Sequence, residues 1–185
     1  MYRRTDLARV YREIIEEGVN AVIIGDTCIQ LALGYSELEG DVDLFVLDPS
    51  PIAEKEFYYQ LAEKKNWELS WTEVGTPALI VPLREGNLVV ELYENYMDID
   101  VPSEILEDTV EHRVDSTKVK AIKPEYYFVL KARQGVDLDK LKKYVALVKD
   151  KGLNIKLIEQ AISLYPEEER DTIYERLRGI GLPLS

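Results

Sequence analysis

The sequence predicts an α+β fold in which a mixed β-sheet flanked by helices precedes a C-terminal helical region. Helical segments alternate with short β-rich apolar runs up to about residue 93, whereas nearly every periodic segment after about 102 is helical. Hydrophobic residues make up 46% of the 185 residues, enough for the packed core of one domain with a small helical appendage. We therefore expect an α/β core over 1–101 and a mainly helical region over 102–185 packed on it.

The first part of the chain predicts helices and strands in alternation. The opening segment has apolar residues at helical spacing and ends at Gly18, which indicates an amphipathic helix. The run 21–24 is short and β-rich, so it predicts a buried strand that leads through Gly25 into a helix. Further strands are expected over 41–47, 67–72, 77–83 and 87–93, and a further helix over about 52–65.

The second part predicts a succession of helices separated by proline and glycine. Pro124, Gly135 and Pro166 mark boundaries between them. The expected helices cover 102–113, 124–133, 138–152, 155–166 and 167–179, with a short extended piece near 119–122.

Composition excludes several classes of function. The chain has 35 acidic and 23 basic residues, and its net charge of -12 argues against a broad nucleic-acid-binding surface. Cys28 is the only cysteine and His112 the only histidine, so a bound metal ion is expected to have oxygen ligands. No apolar stretch of about 18 residues occurs and the start is charged, so we expect a cytoplasmic protein without membrane contact. The Glu- and Lys-rich composition favours a thermophile.

Two aspartates at the start of one predicted strand form the main candidate site. Because side chains of a strand alternate between faces, Asp41 and Asp43 are expected on the same face. Carboxylate oxygens at such positions are ligands that Mg²⁺ prefers, although solvated acids at an exposed strand start are an alternative. Upstream, the strand that ends in Gly25 runs into a helix, and a helix N-terminus suits a phosphate group.

The stretch IIGDTCIQLALGYSELEGDVDLFVL resembles the nucleotidyltransferase superfamily that includes polymerase β. That family has an apolar strand, Gly followed by Gly or Ser, a helix, and D-x-D on the second strand. A third acid lies on a later strand, where LVVELYEN offers Glu91. The segment AIKPEYYFVLKARQGVDLDKLKKYVAL is similar to toxin-type and minimal nucleotidyltransferases, so the resemblance covers most of residues 20–150 and implies a nucleotidyltransferase-like sheet.

The resemblance implies roles for the three acids in phosphoryl transfer. Asp41 and Asp43 would hold one or two Mg²⁺ ions that bridge a nucleoside triphosphate. Glu91 would complete the metal site and help to deprotonate an acceptor hydroxyl. As an alternative, Glu91 belongs to the polar edge of a strand.

The resemblance also implies a nucleotide-binding set. Gly25 and Thr27 would cradle the β- and γ-phosphates, and Asp26 stands beside them where the family has a second small residue. Lys131 and Arg133 would neutralise the same phosphates, although both are equally compatible with ordinary cations on a helix surface.

We consider three functions from these residues. The first is Mg²⁺-dependent transfer of a nucleoside monophosphate from an NTP to a hydroxyl of a small molecule, a protein or an RNA end. The second, motivated by Asp26, is a catalytically inactive binding module with the same fold, as one half of a toxin–antitoxin pair. The third, a metal-dependent hydrolase, explains the aspartates but not the turn at Gly25. The expected partners are an NTP, an acceptor, and a partner protein or a second copy.

Overall fold

The computed structural model describes all of residues 1–185, which form two compact units. The first unit comprises Met1–Asp100 and Thr109–Ala121, and the second comprises Val101–Asp108 and Ile122–Ser185. These units differ from the predicted division into 1–101 and 102–185 by placing 109–121 with the first and Val101 with the second. The division into domains stays a prediction. None of the helices has both the length and the apolar composition needed to cross a bilayer.

The first unit is built on a mixed seven-stranded sheet. Its elements are β1 (Tyr2–Arg3), α1 (Arg4–Glu16), β2 (Asn20–Ile23), α2 (Asp26–Leu33), β3 (Glu37–Leu38), β4 (Val42–Asp48), α3 (Lys55–Lys65), β5 (Glu68–Trp71), β6 (Pro77–Pro82), β7 (Asn87–Tyr93), β8 (Thr109–Val114) and β9 (Thr117–Ile122). The strand order is β5-β6-β7-β4-β2-β9-β8, and β1 pairs separately with β3.

The sheet combines parallel and antiparallel pairs. β4 runs parallel to β7, and β2 runs parallel to β9, whereas β2 and β4 are antiparallel. Helix α2 packs on β4, and α3 packs on β5 and β6. Val42, Leu44 and Val46 alternate along β4 and are almost fully buried, so one face of this strand belongs to the core. The predicted α+β class, a mixed sheet with helices, is confirmed.

The second unit is helical. It contains α4 (Ser103–Glu107), α5 (Pro124–Gln134), α6 (Leu138–Lys149), α7 (Ile155–Ser163) and α8 (Glu167–Gly179). Helix α5 packs against α6, α7 and α8. Tyr127, Phe128 and Val129 are fully buried although they lie on different sides of α5, so this helix is the centre of the unit.

The helix predicted over 102–113 is wrong in its second half. Helix α4 ends at Glu107, and Thr109–Val114 forms β8, next to β9 in the sheet. Asp115 between the two strands has a left-handed φ of 51°, which makes the tight connection possible. The place of β8 beside β9 in the sheet decides the conformation of Thr109–Val114, and the local sequence does not.

Candidate active site

Neighbouring parallel strands bring two of the predicted acids together. Asp43 and Glu91 are register partners on β4 and β7, so their side chains leave the sheet side by side on the same face. Both are half-buried. Asp41 is exposed and precedes the first residue of β4, so the strand is one residue shorter at this end than predicted.

Gly25 lies directly against the Asp43 carboxylate. The amide of Ile24 donates a hydrogen bond of 3.0 Å to the main-chain oxygen of Asp43, which holds the end of β2 beside β4. A Cβ atom added at Gly25 would lie 2.0 Å from Asp43 Oδ2 and 2.6 Å from its Cγ. Its φ of -89° is accessible to any residue, so the glycine is required here for space and not for its backbone angle.

The same glycine is the N-cap of α2. No side chain caps this helix, and its first amides point out of the N-terminus, where an anion is favoured. Asp26 is half-buried in the first turn. Thr27 is fully buried, and its hydroxyl oxygen lies 3.4 Å from the hydroxyl of Tyr2.

Tyr2 ties the N-terminal strand to this helix start. Burial raises the pKa of its phenol to about 12, and the charges of Asp43 and Asp41 add to the increase. The Tyr2 hydroxyl is therefore a neutral group close to the carboxylates across the physiological pH range.

Tyr93 contacts the third acid. Its hydroxyl donates a hydrogen bond of 2.6 Å to Glu91 Oε2, two residues earlier on the same face of β7. Burial raises the pKa of the Tyr93 phenol well above its usual value, and the hydrogen bond to Glu91 and the charges of Asp43 and Asp41 raise it further. The hydroxyl therefore remains a donor.

Negative charge accumulates around Asp41. Although its side chain is exposed, partial loss of water contact raises the pKa of the Asp41 carboxyl, and the charge of Glu91 raises it further. A positive ligand would relieve this repulsion. The chain before Asp41 is fixed by buried Gln30, whose side-chain amide donates to the Glu39 carbonyl at 3.0 Å and accepts from the Glu39 amide at 2.9 Å.

The two predicted cations belong to α5 in the second unit, not to the unit with the carboxylates. Lys131 is half-buried. Arg133 donates from Nε to Glu169 Oε2 at 2.6 Å, and its guanidinium lies 5.2 Å from the ring centre of Tyr165. The guanidinium therefore already has an acidic and an aromatic partner within its own unit.

Three residues of this site were missed from the sequence. Tyr93 follows Glu91 by two positions on a predicted strand, so the strand period was a signal that could have found it. Tyr2 and Gln30 carried no such signal, because their partners lie 25 and 9 residues away and depend on the tertiary fold.

The fold is shared with nucleotidyltransferases of known structure. A nucleotidyltransferase-like antigen from Paracoccidioides brasiliensis is 16% identical, with 95% of this chain and 86% of that chain covered and a TM-score of 0.58. ANT(2″)-Ia, solved in complex with adenylyl-2″-tobramycin, is 14% identical, with 93% of this chain and 97% of that chain covered and a TM-score of 0.53. At these identities the similarity establishes a nucleotidyltransferase-like fold.

The sequence defines the family more closely. Residues 3–179 match the family described as nucleotidyl transferase of unknown function, DUF2204, and the chain belongs to it. The predicted membership of the nucleotidyltransferase superfamily is thereby confirmed. Among curated protein sequences, none matches significantly.

Proposed function

We propose that this chain transfers a nucleoside monophosphate from an NTP to an acceptor hydroxyl in a Mg²⁺-dependent reaction. The observation that carries the proposal is that Asp43, the register partner of Glu91, packs against Gly25, the N-cap residue of α2. This places acidic oxygens, which attract a cation, next to a helix N-terminus, which attracts phosphate. A nucleoside triphosphate complexed with a cation supplies both the cation and the phosphate.

The donor set fits Mg²⁺. All candidate ligands are carboxylate oxygens, and Asp43 is seated against Gly25 where any larger residue would displace it. No three His, Cys, Asp or Glu side chains are grouped tightly enough to hold one ion. Mg²⁺ usually takes only one or two protein carboxylates and completes its shell with water and phosphate, so Asp41 and Asp43 are sufficient. When bound, the ion would stabilise charge that develops on the phosphoryl oxygens.

The remaining residues have separate roles in the proposed reaction. The acceptor oxygen attacks the α-phosphorus of the NTP, the bond to the β-phosphate oxygen breaks, and pyrophosphate leaves. Glu91 accepts the proton of the acceptor hydroxyl and later releases it to water. The main-chain amides that follow Gly25 bind phosphate. The Thr27 hydroxyl is buried and contacts Tyr2, so we assign it to that contact and not to phosphate. The predicted phosphate contacts of Lys131 and Arg133 stay predictions, and the Arg133 side chain forms an ion pair with Glu169.

The first test is nucleotide binding. Calorimetric titration with ATP, CTP, GTP and UTP in the presence of Mg²⁺ is expected to show binding of at least one of them. Asp43→Asn keeps the shape of the side chain but removes its charge, so we expect the affinity to fall at least about tenfold. Asp139→Asn, at an exposed position of α6, is the matched control and should bind normally. Absence of binding, or equal binding by Asp43→Asn, would refute the proposal.

The second test separates transfer from hydrolysis. With an NTP labelled at the α-phosphorus, nucleotidyl transfer puts the label on the acceptor, whereas a metal-dependent hydrolase only releases phosphate from a γ-labelled NTP. The complex of ANT(2″)-Ia with adenylyl-2″-tobramycin makes small hydroxylated molecules the first acceptors to offer, before proteins and RNA ends. Label that never leaves the nucleotide fraction contradicts the proposed reaction.

A second candidate is a binding module that has kept the fold without catalysis. It is favoured by Asp26, an acid in the first turn of α2, and by the burial of the Thr27 hydroxyl away from solvent. This candidate predicts NTP binding without transfer to any acceptor and co-purification with a partner protein, as in a toxin–antitoxin pair. Labelled acceptor in the assay above would exclude it.

A further inference from the structure

We propose that Tyr93 is a positioning residue that fixes the Glu91 carboxylate in the orientation needed to accept the acceptor proton. This inference rests on the proposed function. Its basis is the hydrogen bond of 2.6 Å from the Tyr93 hydroxyl to Glu91 Oε2, made between two half-buried side chains on one face of β7.

Glu91 needs such a contact because of its neighbours. It lies beside Asp43, and its charge acts on Asp41, so repulsion favours conformations in which the longer glutamate side chain swings away. A free glutamate also has considerable rotamer entropy. A hydrogen bond from a rigid phenol to one oxygen opposes both effects and leaves Oε1 for the acceptor hydroxyl.

Tyr93 suits this role better than a charged partner would. A lysine or arginine at this position would neutralise Glu91 and lower its basicity, whereas a phenol donates a hydrogen bond without adding charge. The contact is geometric, since the Tyr93 hydroxyl lies 2.6 Å from Glu91 Oε2 and adds no charge to the site.

The test is the substitution Tyr93→Phe, which removes only the hydroxyl. We expect kcat for nucleotidyl transfer to fall at least about tenfold, since one charge-assisted hydrogen bond is lost. The KM for the NTP should change less than about twofold, because Glu91 is not assigned to nucleotide binding. Tyr59→Phe, at an exposed position of α3, is the matched control and should leave both constants unchanged.

A double-mutant cycle shows whether Tyr93 acts through Glu91. In a Glu91→Gln background, Tyr93→Phe should cause no further loss of kcat, whereas a general structural role would lower it again. In labelled wild-type protein, NMR should detect a slowly exchanging Tyr93 hydroxyl proton that disappears in Tyr93→Phe. An unchanged kcat of Tyr93→Phe in an active enzyme, additive losses in the cycle, or absence of that proton would overturn the inference alone. A wild-type protein that transfers no nucleotide would overturn the proposed function as well.

Discussion

Gly25 and Asp43 show how closely single residues determine this site. The carboxylate occupies the space that any side chain at Gly25 would need, with Oδ2 2.0 Å from the position of a Cβ atom. One methyl group would therefore push Asp43 away from Gly25 and from its place beside Glu91. The backbone of Gly25 itself would tolerate alanine.

We expect Gly25→Ala to reduce nucleotidyl transfer about 100-fold, because displacements of about 1 Å in a reacting group cost this much. The measurement is the rate of transfer of α-labelled nucleotide, together with a thermal melt that checks folding. Gly179→Ala is the control, since a Cβ at Gly179 would meet nothing within 4 Å. Equal rates for the wild type and Gly25→Ala would show that nucleotidyl transfer does not depend on the position of Asp43 against Gly25.

At this scale the sequence singles out candidate residues where a pattern exists. Asp41 and Asp43 stand out as D-x-D at a strand start, and Glu91 through the resemblance to nucleotidyltransferases, and their roles stay predictions. The need for glycine at position 25 depends on a carboxylate 18 residues later in the chain, and no local pattern contains this information. The contacts of Thr27 with Tyr2 and of Arg133 with Glu169 likewise exist only in the folded chain.

Among the elements, α5 shows how the main-chain oxygens at a helix end find hydrogen-bond donors. Arg176 Nη1, from α8, donates hydrogen bonds of 2.8 Å to the main-chain oxygens of Ala132 and Arg133, which lie in the last turn of α5. Gly135 follows in the left-handed conformation, with a φ of 72°, and a Cβ there would lie 2.7 Å from the Arg176 guanidinium. The arginine thus satisfies carbonyl groups that a helix end leaves without partners.

We expect Arg176→Ala to lower the free energy of unfolding by about 2 kcal/mol, because two bonds from a charged donor to carbonyl groups are lost. Urea denaturation followed by circular dichroism measures the change. Arg12→Ala, which breaks only a surface ion pair of 3.9 Å within α1, should cost under about 0.5 kcal/mol. Similar losses for the two variants would contradict the role given to Arg176.

Element prediction succeeded where one period extends over a whole segment. Helix α1 and strand β7 were found for this reason. It failed over Thr109–Val114, because pairing with β9 decides that segment and the local sequence does not. It also missed β1 and β3, since two residues are too few to show a period.

For the whole molecule, the net charge of -12 has a cost in stability. Mutual repulsion of like charges destabilises the compact state relative to the extended chain. At Asp41 the pKa of the carboxyl is raised by partial loss of water contact and by the charge of Glu91. Salt should therefore stabilise this protein by screening.

We expect the free energy of unfolding to rise between about 0.01 M and about 0.1 M NaCl, as the Debye length falls from about 30 Å to about 10 Å. Urea denaturation at the two salt concentrations measures this change. The triple variant Glu63→Lys, Glu107→Lys and Glu175→Lys, all at exposed positions, halves the net charge and should respond less. A salt response that is absent, or unchanged in the variant, would contradict this account.

The parallel register of β4 and β7 also constrains how this family can vary in length. Asp43 and Glu91 share a face only while the number of residues between Asn87 and Glu91 is kept, since successive side chains alternate between faces. One inserted residue there would move the Glu91 side chain to the opposite face, toward the core, and bring an apolar neighbour to the site. Insertions and deletions among related chains should therefore accumulate in the turn 83–86, which joins β6 to β7, and spare the strand that follows.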